Sequence, residues 1–345
     1  MTETDRIKYL RVAVLLVGLI FLVGIYPLTS WPAPLHVTTP ADVQARPYND
    51  RGIALVSKGQ YEQAISEFNK ALELSPVYAA AYYNRGIARR SMGQYDQAIA
   101  DFNRVIELGE EVERASSMTI RGAAYVPKEL YARTYSNRGS AYLHKAQYDL
   151  AIADFTKVLE INPASAQAYN NRGAAYAEKG QYEQAMSDLN KALTLNPKYA
   201  LAYMNRGLIY YRKGDDEVAI SDYTKALEID ARLALAYANR GRAYNKKGQF
   251  DQALSDLNKA LGINPGAAEA YDGLARVHAA QGRHGDAEVF FKKSLAIFEK
   301  TLGPEHPHVA DSLEGYAALL RKMRREGEAE EVEARAKAIR AKHVR

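Results

Sequence analysis

Asn171 to Pro197, NRGAAYAEKGQYEQAMSDLNKALTLNP, is the stretch whose reading decides the fold, because most of the remaining chain repeats it with the same internal spacing. Aligned on the glycine of its Arg-Gly pair, the copies fall at Gly52, Gly86, Gly139, Gly173, Gly207 and Gly241, separated by 34, 53, 34, 34 and 34 residues. A seventh copy has Ala275 at that place, 34 residues on, and an eighth has Ala317, a further 42 on. Self-similarity at such a period means one supersecondary unit stacked on copies of itself, each burying its apolar face against its neighbours. The irregular intervals place one insertion between the second and third units, near Glu113 to Tyr131, and another before the last, Leu302 to Val309.

Each unit reads as two short antiparallel helices. In the fourth, Tyr169, Asn170, Asn171, Arg172, Gly173 and Tyr176 belong to a first helix that stops at Lys179-Gly180, where glycine supplies a left-handed cap. The second runs from about Tyr182 to Leu195, with Ala185, Leu189, Ala192 and Leu193 on one face and Pro197 beyond its end. Small residues stand where helices must approach: the glycine series, and twelve residues on Ala64, Ala98, Ala151, Ala185, Ala219 and Ala253. Sixteen residues after each glycine comes a large one, Phe68, Phe102, Phe155, Leu189, Tyr223 and Leu257, expected to pack against the next unit.

The 34-residue period, the Tyr/Gly/Tyr pattern of the first helix and the Ala, Phe/Leu, Ala, Pro pattern of the second resemble the tetratricopeptide repeat (TPR) family over about Ala45 to Lys342. That resemblance implies an all-α fold, a right-handed superhelical solenoid of antiparallel helix pairs that acts as a protein-binding scaffold. Leu302-Gly303-Pro304-Glu305-His306-Pro307-His308-Val309-Ala310 is similar to the 42-residue repeat variant of kinesin light chains, a likeness of repeat subtype that does not imply a motor protein.

Where the family usually has leucine before the glycine, this chain has Arg51, Arg85, Arg138, Arg172, Arg206 and Arg240. Sixteen residues after each stands an acid: Glu67, Asp101, Asp154, Asp188, Asp222 and Asp256. The seventh and eighth units lose both partners together, with Leu274 and Phe290, then Tyr316 and Val332. Joint loss predicts Arg-carboxylate bridges between first and second helices, within a unit or across adjacent ones, with Arg used for its planar fork.

A stack of such pairs leaves a groove lined by the first helices, on which a peptide or partner helix can lie. Two residues before each glycine runs a ladder, Asp50, Asn84, Asn137, Asn171, Asn205 and Asn239. The resemblance implies ligand-backbone contact, since an Asn at the matching place bonds the peptide in peptide-binding members; capping or bridging of neighbouring helices is the other role open to these amides. Around the ladder, units five and six offer Met204, Leu208, Tyr211, Arg212, Arg242, Asn245 and Lys246, a mixture suited to a segment with apolar anchors and an acidic residue or free C-terminal carboxylate.

Val12 to Tyr26 is an unbroken apolar or glycine run, preceded by Arg6, Lys8 and Arg11 and followed by Pro27, Pro32, Pro34, Pro40 and Pro47. The run itself is short of a roughly 30 Å hydrocarbon core, but Leu10 to Trp31 suffices with Trp31 at the interface. A cleavage site is poorly matched by Leu28-Thr29-Ser30, and Val43-Gln44-Ala45 lies too far away, so the expectation is an uncleaved single-pass transmembrane helix. Basic residues before the span keep the N-terminus in the cytoplasm and put the repeats outside, in the periplasm if the source is bacterial. The alternative is a soluble periplasmic or secreted chaperone or adaptor, released by signal cleavage.

The chain divides accordingly into a cytoplasmic N-terminus (1–11), an anchor or signal segment (12–31), a proline-rich linker (32–44), units one and two (45–112), the insertion (113–131), units three to seven (132–301), a linker (302–309), and the eighth unit with a C-terminal cap (310–345). Net charge is +5 with both signs interspersed, which argues against a nucleic-acid footprint. Absence of cysteine excludes disulfides and thiolate metal sites. No phosphate-cradling glycine loop or H-E-x-x-H occurs, and His306 and His308 offer at most two ligands, so neither enzyme, cofactor, metal nor small-molecule substrate is expected. The 25 Tyr against 8 Phe are accounted for largely by the repeats.

Overall fold

The computed structural model describes residues 40–116 and 128–343, so the apolar span 12–31 and residues 117–127 of the insertion lie outside the described residues. Sixteen helices account for nearly all of what is described. They fall into two compact units, one extending to Ala175 and one from Tyr176 onward. The N-terminal unit holds α1 (Pro40–Ser57), α2 (Tyr61–Leu74), α3 (Ala79–Ser91), α4 (Tyr95–Ser116), α5 (Lys128–His144) and α6 (Tyr148–Ile161). Helix α7 (Ala166–Glu178) contains the boundary, and the C-terminal unit continues with α8 (Tyr182–Leu195), α9 (Ala200–Lys213), α10 (Asp216–Ile229), α11 (Ala234–Lys246), α12 (Phe250–Ile263), α13 (Ala268–Ala280), α14 (His284–Leu302), α15 (Pro307–Lys322) and α16 (Glu326–His343).

Within each unit an odd-numbered helix packs along the even-numbered one that follows, and each even helix packs on the next odd one. The local reason is turn chemistry. Gly180, Gly214 and their counterparts adopt positive φ and stop the first helix. In the third and last units Ala146 and Arg324 are held in the same left-handed conformation without glycine, at φ 54° and 60°.

Packing follows the small-large alternation, with a refinement of the expected partner. Phe102, fully buried, lies beneath Gly86 of its own helix pair, where an added Cβ would come within 2.7 Å of Phe102 Cε1. The same ring belongs to a cluster with Tyr83, Ile87, Ala98 and Leu130, the last from the following pair. Leu257 likewise stands against both Gly241 and Gly273. One large side chain thus fills a gap within its pair and between pairs.

Five of the six Arg-acid pairs are present within single units: Arg51 with Glu67 at 2.6 Å, Arg85 with Asp101 at 2.7 Å, Arg138 with Asp154 at 2.7 Å, Arg206 with Asp222 at 2.8 Å and Arg240 with Asp256 at 2.7 Å. Arg172 and Asp188 fall on either side of the unit boundary. Each bridge joins the first and second helices of one repeat. A second set of hydrogen bonds runs from the same guanidinium to the preceding repeat: Arg85 to Asn69, Arg138 to Asn103, Arg206 to Asn190 and Arg240 to Thr224, at 2.7–3.0 Å. Each Arg also lies over the ring of a tyrosine three residues earlier, such as Tyr82, Tyr135, Tyr203 and Tyr237. This is where much of the tyrosine excess goes.

Three boundaries shift. Helix α1 begins at Pro40, inside the expected linker 32–44. The segment 113–131 is helical at both ends, since α4 runs on to Ser116 and α5 starts at Lys128. The extra residues before the last repeat lengthen α14 to nineteen residues, against fourteen for α12, and Pro307–Val309 already belong to α15, so the linker 302–309 contracts to 303–306.

Candidate functional site

The asparagine ladder is enclosed rather than open to a ligand. Asn84, Asn137, Asn171, Asn205 and Asn239 are all buried. Asn84 Nδ2 donates to Asn49 Oδ1 of the preceding repeat at 2.9 Å, and Asn137 Nδ2 donates to the Tyr83 hydroxyl at 3.0 Å, again one repeat back. Asn171 Oδ1 accepts from Asn170 Nδ2 at 3.1 Å. For Asn84 and Asn137 these bonds join successive first helices, whereas Asn84 Oδ1 and Asn171 Nδ2 are enclosed without a partner. Met204 is also withdrawn into the core with Tyr223, Leu227 and Leu233.

What the C-terminal unit leaves accessible is a smaller set from α9 and α11. Leu208, Tyr211, Arg212, Arg242 and Asn245 are partly exposed and Lys246 is exposed. The cations divide sharply by partner. Arg212 is held by Glu178 at 2.9 Å and by the Ala177 carbonyl, and Lys246 reaches Asp216 at 2.9 Å. Arg242 has no carboxylate partner among the described residues; its guanidinium stands 5.6 Å from the Tyr211 ring centroid, and the Lys246 ammonium is 5.1 Å from the same ring. Two enclosed atoms there, Arg242 Nε and Asn245 Oδ1, lack a hydrogen-bond partner, as does the hydroxyl of Tyr223 beneath. At that last place the other repeats through the seventh use Phe or Leu, so the hydroxyl is a departure from them that costs about 1–3 kcal/mol while unsatisfied.

Sequence reasoning missed the polar belt that borders this patch. Arg276 Nε bonds Asp272 at 2.6 Å, and Arg276 Nη2 donates to the Asp311 carbonyl of α15 at 3.0 Å. His308, in the first turn of α15, lies 3.8 Å from Glu178 of α7, a contact between residues far apart in the chain. His306 caps α15, its Nδ1 accepting from the His308 N–H at 3.2 Å. Two histidines flanking a proline marked this loop in the sequence, but only the fold brings Glu178 to it.

Burial alone would raise the Glu178 carboxyl, but Arg212 and His308 outweigh it and hold it well below the usual carboxylate range. For His308 burial works toward the neutral form and Glu178 more than reverses it, leaving the imidazole raised. A group raised on folding gives its full stabilisation below its unfolded pKa and loses it as pH climbs through the folded one. The α15 contact with Glu178 is therefore expected to loosen as pH rises above about 6.5. Amide exchange in α15, corrected for base catalysis, should accelerate from about pH 6 to about pH 9 in the parent and lose that dependence in Glu178→Gln; identical profiles would refute the coupling.

This is the architecture of a helical repeat protein. Family models described as tetratricopeptide repeat or TPR repeat match at 52–89, 79–111, 132–165, 155–186, 175–214, 207–247, 234–266 and 266–342, leaving 112–131 uncovered. The chain belongs to the tetratricopeptide repeat family, and its fold is that of a protein-interaction scaffold. No curated protein sequence matches it. Among solved structures it is similar to a tetratricopeptide repeat protein from Parabacteroides merdae, with 20% identity and a TM-score of 0.58, over 75% of this chain and 98% of that one. Cut9-Hcn1 of an APC/C hetero-tetramer is similar at 21% identity and a TM-score of 0.58, over 79% of this chain and 50% of that one. YrrB, described as a TPR protein with an unusual peptide-binding site, matches at 25% identity and a TM-score of 0.42, over 56% and 89% respectively.

Proposed function

We propose that this chain is a non-catalytic, membrane-anchored interaction scaffold whose C-terminal unit captures an acidic segment of a protein partner. The observation that carries the reading is Arg242: a partly exposed guanidinium over Tyr211 beside Lys246, to which the described residues supply no carboxylate. Leu208 provides apolar contact next to it, and an acidic side chain or C-terminal carboxylate supplies the planar acceptor that the fork fits. Arg212 and Lys246, already paired, orient and steer more than they bind.

The single-pass anchor at 12–31, repeats on the far side of the membrane and a role in envelope protein assembly belong to the same reading, as do the right-handed superhelical winding and the kinesin-light-chain-like subtype of the last repeat. The basic residues before Val12 and the proline-rich exit support the topology. Among the described residues no helix is long and apolar enough to cross a membrane.

The test is capture by photoreactive groups placed at Leu208. Replacing Arg242 and Lys246 with Glu should reduce recovery of an acidic partner at least tenfold while leaving the helical content intact; undiminished capture would count against the site. Whether residues 12–26 persist in the mature chain separates the anchored form from a cleaved, soluble adaptor.

A further inference from the structure

A second cation without a counter-charge lies in the N-terminal unit, deeper than Arg242. Arg90 stands four residues after the repeat glycine, near the end of α3. Of the eight residues at that place two are charged, Arg90 and Arg321, so the repeat itself does not call for arginine there. Arg321, on the terminal repeat, is paired with Glu333. Arg90 is only 8% exposed, yet among the described residues its side chain makes no hydrogen bond and no ion pair. Its electrostatic neighbours are three tyrosines from three helices, Tyr61 of α2, Tyr83 of α3 and Tyr95 of α4, together with His144 of α5, whose ring stacks on Tyr95 at 5.0 Å.

The nearby acid is already engaged. Asp101 accepts from both Arg85 and Arg89, so α3 carries three guanidiniums against that one carboxylate. Burying an unpaired guanidinium is unfavourable, and a docking anion offsets part of that cost. Arg90 keeps 8% of its surface exposed. The Tyr83 oxygen accepts from Asn137 and Tyr61 bonds Ser91, so the guanidinium is bordered by phenol rings and not by a carboxylate.

We propose that Arg90, bordered by Tyr61, Tyr83 and Tyr95, forms an anion site on the N-terminal unit that takes a carboxylate group of a protein partner. The two oxygens of a carboxylate fit the planar guanidinium fork, and one cation balances its single charge. The site uses no residue of the Arg242 patch and stands or falls separately from it.

His144 is a built-in reporter. Burial first, and then the Arg90 charge, press its imidazole down to about 4. A carboxylate seated on Arg90 offsets that charge and moves the titration midpoint upward. The experiment follows the His144 ring protons by NMR in the full chain with three acetylated pentapeptides: Gly-Gly-Glu-Gly-Gly amide, Gly-Gly-Gly-Gly-Gly with a free C-terminus, and Gly-Gly-Gln-Gly-Gly amide. One or both carboxylate probes should raise the midpoint by about one pH unit at saturation, the glutamine probe should not, and Arg90→Gln should abolish the response. Response to the first probe alone identifies a side-chain carboxylate, and to the second alone a chain end. No shift with either carboxylate probe, an equal shift with glutamine, or a response that survives R90Q overturns the proposal. Because the wild-type series decides by itself, a variant that fails to fold does not protect it.

Discussion

Phe102→Ala is expected to lower the stability of the N-terminal unit by about 3–5 kcal/mol, the usual cost of emptying an aromatic site in a close-packed core. Phe102 is fully enclosed, and Gly86 above it has no side chain to move into the space. Its ring meets Tyr83 at a centroid distance of 6.1 Å and contacts Leu130 of the next pair, so the void opens between repeats as well as within one. In a stack where each repeat touches only its neighbours, the damage should be local. Native-state amide exchange should show lost protection in α3, α4 and α5 before helices farther along the chain, and urea unfolding should begin earlier. Unchanged protection in α3 would show that the ring does not hold these pairs together.

Asp101→Asn should cost about 3 kcal/mol by a different route. Asp101 is almost wholly buried and receives Arg85 through both carboxylate oxygens and Arg89 through one. Removing its charge strands two guanidiniums that remain partly buried, and the loss of an enclosed charge exceeds the net worth of the pair it belonged to. Combining Asp101→Asn with Arg85→Met should therefore recover part of the loss, giving a non-additive double-mutant cycle. Strictly additive effects would mean that the bridge, though formed, is energetically idle.

The fold was legible because repetition multiplies weak signals. One Gly-x-x-Tyr or one helical alanine stripe says little, whereas Gly52 to Gly241 in register fixes helix length, turn position and packing partner together. Joint disappearance of Arg and acid from the last repeats disclosed a contact that neither residue alone would reveal. The site was read less well, and Asn171 shows why. From sequence an amide on a first helix serves equally as a ligand contact or as a strut between helices, and only burial and the bonds of Asn84 and Asn137 decide for the strut. The pairing of Glu178 with His308 escaped notice because they belong to repeats four apart, and no local pattern announces which first helices meet. Arg90 was overlooked for the opposite reason: a charged residue on a repeat helix passes for solvated surface unless its burial is known.

The guanidinium that joins each repeat to itself and to the one before it carries an evolutionary implication. Each period supplies the acid that its own arginine grips and the Asn or Thr that the next arginine will need, so the joints are carried as a set within 34 residues. Loss of residues 207–240 would leave Arg206 sixteen residues before Asp256, with Asn190 still sixteen behind it. Unequal recombination within such a gene can thus lengthen or shorten the array by whole periods while every new junction closes with the same bonds.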